Sequence, residues 1–232
     1  MDRNGNTYTF LYAAVMVIVV AALLAATAVS LKPFQKRNIE IEKMQNILAS
    51  VNIQADVQNA SKIYKEKITT TYVVDAKGNK KEGVNAFTVN LKKERSLPVA
   101  ERSLPVYEAN VDGKVKYIIP LRGAGLWGPI WGYISLDEDM NTIFGANFDH
   151  QGETPGLGAE ISTTAFEAPF IGKKIFNAEG KLVSITVAKK GEKAEPAHSV
   201  DAISGGTITS KGLEQMISDD LNSYKEFFNK KK

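Results

Sequence analysis

The sequence predicts an α+β domain that follows a single membrane-spanning helix near the N-terminus. Residues Phe10 to Leu31 form an uncharged, mostly apolar run. At about 1.5 Å per residue, this run can cross a hydrocarbon core of about 30 Å. The strand-like segments beyond it are joined by short turns and not by regularly spaced helices. That pattern favours a mostly antiparallel sheet with packed helices and argues against a doubly wound nucleotide fold.

The apolar run has a second interpretation, a cleaved signal peptide. Arg3 would then be its charged end, and Ala26–Ala28 resembles a small-residue cleavage site. The run is longer than the ~7–15 residues of a signal core, which favours a retained anchor. Lys32, Lys36 and Arg37 follow the span, and this charge bias would keep the domain in the cytoplasm. The bias is a weak guide because long domains translocate largely regardless of flanking charge.

The predicted organisation has four parts, and their elements follow from periodicity and turn residues. The parts are a short tail over 1–9, the membrane helix over 10–31, a connecting helical region over 32–60 and a globular domain over 61–232. The strands predicted in the domain cover 68–74, 114–121, 130–136, 142–148 and 182–188. A mixed segment over 163–176 contains a short helix broken at Pro169. An amphipathic helix over 211–228 ends the chain.

Composition excludes several classes of chemistry. The 29 basic and 26 acidic residues give a net charge of +3, and no basic stripe with interleaved aromatics is present, so we expect no nucleic-acid partner. The chain has no cysteine, which excludes disulfides, thiolate metal sites, iron–sulfur ligation by this chain and thiol-linked cofactors. The basic run Lys230–Lys232 is typical of a solvated chain end.

One hexapeptide occurs twice, at Glu94–Val99 and again at Glu101–Val106. Two copies are too few for a solenoid. We interpret the repeat as a local duplication in an exposed loop. The second copy continues into Tyr107 and is expected to enter the sheet. The first copy should then be the spare one.

Two glycine-rich loops are candidate sites. Residues Gly123–Gly128 match G-x-G-x-x-G, but Pro129 and a strand follow where a dinucleotide-binding loop needs a helix. Two alternatives remain there: a turn carrying an exposed Trp127, or a core tryptophan at a hairpin. Residues His150–Gly158 form a Gly/Pro-rich loop after a strand. His150 and Glu153 alone are too few for a metal site, and we expect none.

The hydroxyl-rich segment Asp201–Ser210 is the third candidate. It contains four hydroxyl side chains beside Gly205 and Gly206, just before the last predicted helix. Thr209 or Ser210 could cap that helix. The N-terminus of the helix would equally favour a phosphate group there. The residues alone leave a helix cap and a phosphate-linked site both open.

Three segments occur in order behind the N-terminal anchor: Leu121–Gly128, Glu153–Gly158 and Asp201–Thr207. In this combination the chain resembles, over nearly its full length, the C subunits of the bacterial Na+-translocating NADH:quinone oxidoreductases. In that family the last threonine of the third motif carries FMN through a phosphoester bond. The resemblance therefore implies covalent FMN on Thr207. The family usually has alanine where this chain has Gly206, a change that should be tolerated but could loosen the loop.

The resemblance also implies the roles of other residues. Asp201 and Ser204 would present Thr207 to an FAD-dependent flavin transferase, and Ser210 would cap the following helix. The remaining cofactor-binding residues that it implies are Gly205, Gly206, Leu126, Trp127, Glu153, Thr154, Gly156 and Leu157. No residue is expected to be catalytic, because such a protein has no independent turnover and the cofactor carries the chemistry.

The implied function is an electron relay in the bacterial inner membrane. The chain would cross the membrane once, with its FMN-binding domain on the periplasmic side. It would pass electrons from an iron–sulfur centre in the membrane subunits to a second covalent flavin on the way to quinone. Sodium movement is not assigned to this chain, because its single anchor carries no ionisable residue.

Two alternatives remain. The related G subunit of the Rnf ferredoxin:NAD complex shares the threonine motif and the Glu153–Gly158 loop, but Gly125–Gly128 is more similar to the quinone-reductase family. A membrane-tethered binding module without a cofactor is the alternative from a different class.

Overall fold

A computed structural model describes residues 5–189 and 191–231, in two compact units divided between Lys43 and Met44. Helix α1 (Asn6–Ala49) begins in the first unit and ends in the second. Its most apolar window has a mean hydropathy of 2.7 and is not buried in protein, so length and composition suit a membrane span. This is the long apolar helix that the sequence predicts. Pro33 lies within it and removes one backbone hydrogen bond.

Six of the described strands form one sheet in the order β2-β1-β3-β4-β5-β6, and every neighbouring pair is antiparallel. The strands are β1 (Ile68–Val74), β2 (Lys80–Lys81), β3 (Leu104–Val111), β4 (Lys114–Ala124), β5 (Pro129–Leu136) and β6 (Ile143–His150). The predicted antiparallel α+β domain is therefore confirmed. The four predicted strands in this sheet differ from these bounds only at their ends.

Short turns connect the strands because the sequence supplies residues that adopt positive φ. Asp112 and Gly113 have φ angles of 52° and 77° between β3 and β4. Two consecutive positive values are the geometry of a two-residue hairpin turn whose twist matches the strands. The segment predicted as a strand over 182–188 forms only the short β7 (Thr186–Ala188). It pairs in parallel with β8 (Ser199–Asp201) in a separate two-stranded sheet.

Both faces of the six-stranded sheet are covered, as alternation along β4 shows. Ile119 and Leu121 belong to the larger core, beneath helices α5 (Thr207–Ser223) and α6 (Lys225–Lys231). Ile118 points to the opposite face and joins a smaller core with the end of α1. The shorter helices are α2 (Ala60–Lys67), α3 (Leu91–Arg95) and α4 (Thr164–Glu167). Single 3-10 turns cover Ala86–Thr88, Val99–Glu101, Gly158–Ser162, Ala168–Phe170 and Pro196–His198.

The last helix differs from the prediction at both ends. It begins at Thr207, four residues before the predicted start, and it breaks at Tyr224 before α6. The N-cap position is Gly206, so the predicted capping roles of Thr209 and Ser210 are wrong. Both hydroxyls are buried inside the helix, where partners from the rest of the domain satisfy them. The mixed segment behaves as predicted, since α4 ends just before the 3-10 turn that holds Pro169.

The first copy of the repeated hexapeptide is not spare, which corrects the sequence prediction. Arg95 pairs with Asp219 at 3.1 Å and with Asp220 at 2.7 Å on α5. Glu94 Oε2 accepts a hydrogen bond from Ser103 N of the second copy at 2.6 Å. The physical reason is that the buried carboxylate of Asp220 needs a cationic partner. The second copy enters β3, as predicted.

Candidate functional site

A cavity of about 360 Å³, here called the Thr207 cavity, lies where three loops meet the start of α5. Eight of the eleven residues predicted to bind a cofactor are on its wall: Leu126, Trp127, Glu153, Thr154, Leu157, Gly205, Gly206 and Thr207. Asp201 and Ser204 are exposed outside it. Gly156 also lies outside, where its N–H donates to Glu160 Oε1 at 2.9 Å.

Gly158, Ile208 and Thr209 line the cavity although the sequence did not assign them to the site. Ile208 and Thr209 fall in the first turn of α5. If the sequence prediction had started the helix at Thr207, both residues would have been placed in its first turn, directly after Gly205 and Gly206. Gly158 ends the second glycine-rich loop and was assigned only to that motif.

The rim of the Thr207 cavity is apolar and exposed. Trp127 is 70% exposed and Ile208 is 60% exposed, and Leu126 and Leu157 lie on the same wall. The turn that carries Trp127 is closed by a hydrogen bond from Gly125 N to Gly128 O at 2.8 Å. Of the two alternatives for this tryptophan, the exposed aromatic on a turn is therefore confirmed. Such a rim suits a flat apolar ligand with a few polar groups.

Glu153 is buried at the base of the cavity, with an exposed fraction of 4%. Its Oε1 accepts from Trp127 N at 2.8 Å, and its Oε2 accepts from Thr209 Oγ1. Burial would raise the pKa of this carboxyl, but these bonds, with those from the Leu126 and Gly128 N–H groups, hold the pKa below its ordinary value. The ionised Glu153 carboxylate therefore links the Trp127 turn to the first turn of α5 through hydrogen bonds. This link is called the Glu153 clip below.

The histidine of the same loop has a structural role. His150 Nδ1 accepts a hydrogen bond from Glu153 N at 3.1 Å. The bond helps to fix the backbone at Glu153.

The four hydroxyls of the segment Asp201–Ser210 differ in their surroundings. Thr209 donates to Glu153, and Ser210 Oγ accepts from Ile203 N at 3.1 Å, so both are buried and engaged. Ser204 is exposed but does not line the cavity. Thr207 is exposed and on the cavity wall. Among the hydroxyls of this described segment, Thr207 alone is open to both a ligand and an external enzyme.

The backbone before Thr207 needs glycine at one position and only prefers it at the next. Gly205 has φ +75°, and a Cβ there would lie 2.6 Å from Leu157 Cδ2. Gly206 has an ordinary φ of −101°. A Cβ on Gly206 would lie 3.0 Å from Ile203 Cγ2, a contact that a small shift can relieve. The geometry agrees with the expectation that glycine is tolerated where the family usually has alanine.

The N-terminus of α5 opens beside these residues. No side chain caps it, because the N-cap residue is Gly206. The N–H groups of a first helical turn have no partner within the helix and carry a partial positive charge of about half a unit. A phosphate attached near Thr207 would therefore meet favourable donors.

Comparisons with known proteins agree with this geometry. A family model described as FMN-binding domain matches residues 125–222. The C subunit of the Na(+)-translocating NADH-quinone reductase of Haemophilus ducreyi is 31% identical over 98% of this chain and 91% of its own length. Its namesake from Neisseria meningitidis serogroup B is 30% identical over 100% of this chain and 96% of its own.

A solved structure extends the match to three dimensions. The crystal structure of the corresponding protein from Parabacteroides distasonis is 48% identical, with a TM-score of 0.80, and the match covers 85% of this chain and 96% of that one. The resemblance predicted from the three motifs is confirmed. The chain belongs to the family of C subunits of the Na(+)-translocating NADH-quinone reductases.

Proposed function

We propose that this chain is the electron-relay flavoprotein subunit of a Na+-translocating NADH:quinone reductase and that Thr207 carries FMN through a phosphoester bond. One observation carries the proposal. Thr207 combines exposure with a place on the wall of an apolar-rimmed cavity, whereas Thr209 and Ser210 are buried and engaged.

The residues of the Thr207 cavity fit FMN. The phosphate would lie at the uncapped start of α5, where backbone N–H groups favour an anion. Leu126, Trp127, Leu157 and Ile208 provide apolar surface for the ring system. Bound FMN supplies reversible redox chemistry, and the protein supplies position and electrostatics. With FMN bound, the chain would relay electrons from an iron–sulfur centre of the membrane subunits to a second covalent flavin on the way to quinone.

Attachment requires a second protein, an FAD-dependent flavin transferase. The Thr207 hydroxyl oxygen would form the new bond to the FMN phosphorus while the pyrophosphate bond of FAD breaks. AMP leaves, and the hydroxyl proton is released. Asp201 and Ser204 are exposed and do not line the cavity. That location suits residues that contact the transferase and not the flavin.

Helix α1 and the family support a proposal for the membrane arrangement. We propose that α1 is retained as one membrane anchor in the bacterial inner membrane and that the domain after it lies on the periplasmic side. The partners are the other subunits of the reductase. The apolar window of α1 is not buried against the rest of the described protein. This exposure supports contact with lipid or with those subunits.

The test of covalent attachment uses the full chain, expressed with and without the transferase. After denaturation and electrophoresis, a fluorescent band under ultraviolet light is expected only with the transferase. Thr207→Ala should remove the band. Ser204→Ala, the matched exposed hydroxyl, should keep it at end point, even if labelling is slower. No band with the transferase would favour a cofactor-free binding module, and a band in Thr207→Ala would show that the acceptor is another residue.

A second experiment separates the two flavin-containing complexes. The intact membrane complex that contains this chain should catalyse NADH-to-quinone electron transfer that Na+ stimulates. Ferredoxin-dependent reduction of NAD would instead indicate the Rnf G-subunit function.

A further inference from the structure

A second cavity of about 360 Å³, here called the Glu167 cavity, shares no lining residue with the Thr207 cavity. Its wall comes from the last turns of α1, the loop after it, β6 and the segment around α4. The polar side chains on this wall include Gln45, Asn46, Asn52, Asn147 and Glu167. No lysine, arginine or histidine is among the described residues that line it. The wall therefore offers one carboxylate and several amides.

Three of these amides use their NH2 groups on protein oxygen atoms, which fixes the orientation of each amide. The bonds are Gln45 Nε2 to Ala55 O at 2.8 Å, Asn52 Nδ2 to Phe144 O at 3.1 Å and Asn147 Nδ2 to Glu167 Oε1 at 3.2 Å. Each bond uses one of the two hydrogens of its NH2 group, so these side chains can still offer a ligand a carbonyl oxygen and one further N–H. An oxygen that accepts without donating is suited to a cation.

Asn147 Oδ1 is a polar atom of this region whose hydrogen bonding is incomplete. It is fully buried and has no hydrogen-bond partner among the described residues. Buried polar atoms in folded proteins are nearly always satisfied, so an orphaned acceptor needs an explanation. The same side chain donates to Glu167, which places the orphaned oxygen beside a carboxylate.

Among the described residues on the wall of the cavity, Glu167 is the one titratable side chain. Its Oε1 accepts from Phe148 N at 2.7 Å as well as from Asn147, whereas the bonds in the described structure leave Oε2 unused. Burial raises the pKa of this carboxyl to about 7, and the negative charge of Asp149 on β6 adds to the rise. The α1 and loop residues on the wall are uncharged. None of the described side chains on this wall is a cation that could compensate the carboxylate once it ionises.

We propose that the Glu167 cavity binds a small monovalent cation, either an alkali metal ion or ammonium, between the Glu167 carboxylate and the amide oxygens. Among the described lining residues Glu167 supplies the one carboxylate, which suits a cation of a single positive charge, and Asp149 lies outside the wall. Divalent and transition-metal sites use several carboxylates, imidazoles or thiolates. Within the described residues no group of three or more His, Asp or Glu side chains could hold such a metal. The volume admits the ion together with water molecules. The proposal concerns binding and assigns no ion transport to the chain.

Binding should depend on pH through Glu167. Only the ionised carboxylate attracts the cation, so protons and cations compete. With a pKa of about 7, roughly a tenth of the carboxyl is ionised at pH 6 and roughly nine tenths at pH 8. Apparent affinity should therefore be roughly ninefold higher at pH 8. Without the cation, a raised pKa makes ionisation unfavourable to the fold, so stability from this group decreases as pH rises from 4.5 towards 7.

The test uses the full chain in detergent, without flavin, in buffers free of alkali metals. The unfolding temperature is measured against NaCl, KCl or NH4Cl, with choline chloride making up constant ionic strength. We expect saturable stabilisation by at least one small cation, stronger at pH 8 than at pH 6. Glu167→Gln should weaken the apparent affinity at least tenfold and remove the pH dependence. Glu179→Gln, an exposed carboxylate outside the cavity, is the matched control and should behave as the wild type.

A second measurement keeps the test independent of how the variant folds. Line broadening of the sodium-23 resonance by the wild-type chain should be saturable and should be reversed by the competing small cation. Equal stabilisation by choline would indicate only ionic-strength effects and would overturn the proposal. A response to Ca2+ alone, or unchanged cation binding in folded Glu167→Gln, would also overturn it.

Discussion

Replacing Glu153 is the sharpest test of how the Thr207 cavity is held together. The carboxylate accepts from Trp127 N and from Thr209 Oγ1 while it is almost fully buried. Hydrogen bonds to a charged group contribute about 1.5–3 kcal/mol each. Glu153→Ala removes these bonds and leaves the buried Thr209 hydroxyl and the Trp127 N–H without this acceptor. We expect a loss of about 3–5 kcal/mol in the free energy of unfolding.

Glu153→Gln should cost much less, about 1–2 kcal/mol, because it exchanges charged for neutral hydrogen bonds. The amide oxygen can accept from Trp127 N. The amide NH2 can donate to Thr209 Oγ1 once that hydroxyl rotates to accept. The matched control is Glu160→Gln, in the 3-10 turn that follows the loop of Glu153. Glu160 accepts one bond, from Gly156 N, which a glutamine oxygen can also accept, so the change should be near zero.

The assay is denaturant unfolding of the flavin-free full chain in detergent, followed by tryptophan fluorescence. The chain has two tryptophans, and both lie close to this loop in sequence or structure, at Trp127 and Trp131. The pKa of Glu153 is lowered in the folded state. Its stabilisation is therefore present above pH 4.5 and is lost as pH falls through the folded pKa. Glu153→Gln should lack that acid-induced loss. If Glu153→Ala and Glu153→Gln lost equal free energy of unfolding, the proposed hydrogen-bonded role of Glu153 would be refuted.

Three further predictions concern packing and the flavin loop. Arg95→Leu should cost about 2–3 kcal/mol, because Asp220 stays buried without its cation. The loss should shrink at low pH, since the pKa of Asp220 is already raised to about 6 by burial and protonation removes the unpaired charge; a pH-independent loss would contradict this. Gly205→Ala should destabilise by about 1–2 kcal/mol and slow flavin attachment, because φ is +75°. Gly206→Ala should leave the attachment rate within about twofold, as parallel gel-fluorescence time courses would show.

The fold was largely predictable because its determinants are local. Alternating apolar residues and turn dipeptides such as Asp112–Gly113 define strands and hairpins within a few residues of each other. Neither feature required knowledge of distant contacts. The predictions that were wrong depend instead on contacts between residues far apart in the sequence. Arg95 was assigned to a spare loop because its partner Asp220 lies 125 residues away in sequence.

The helix start was missed for a related reason. A run of Thr and Ser before an amphipathic pattern is typical of a capped helix terminus. Here Thr209 lies within the helix because its hydroxyl reaches Glu153, 56 residues earlier in the chain. No local pattern encodes that bond. The motifs nevertheless identified most of the cavity wall, because the three loops that form it are each rich in glycine and polar residues.

Because α5 starts at Thr207, its first turn contains both the residue that binds Glu153 and the proposed FMN acceptor. An α-helix rotates about 100° per residue, so side chains two positions apart point to nearly opposite sides. Thr209 therefore reaches inward to the Glu153 clip while Thr207, at the first helical position, stays exposed at the cavity. The clip and the proposed FMN acceptor share this rigid turn. Loosening Glu153 should displace Thr207 relative to Trp127, so the same Glu153→Ala variant that unfolds more easily should also accept FMN more slowly.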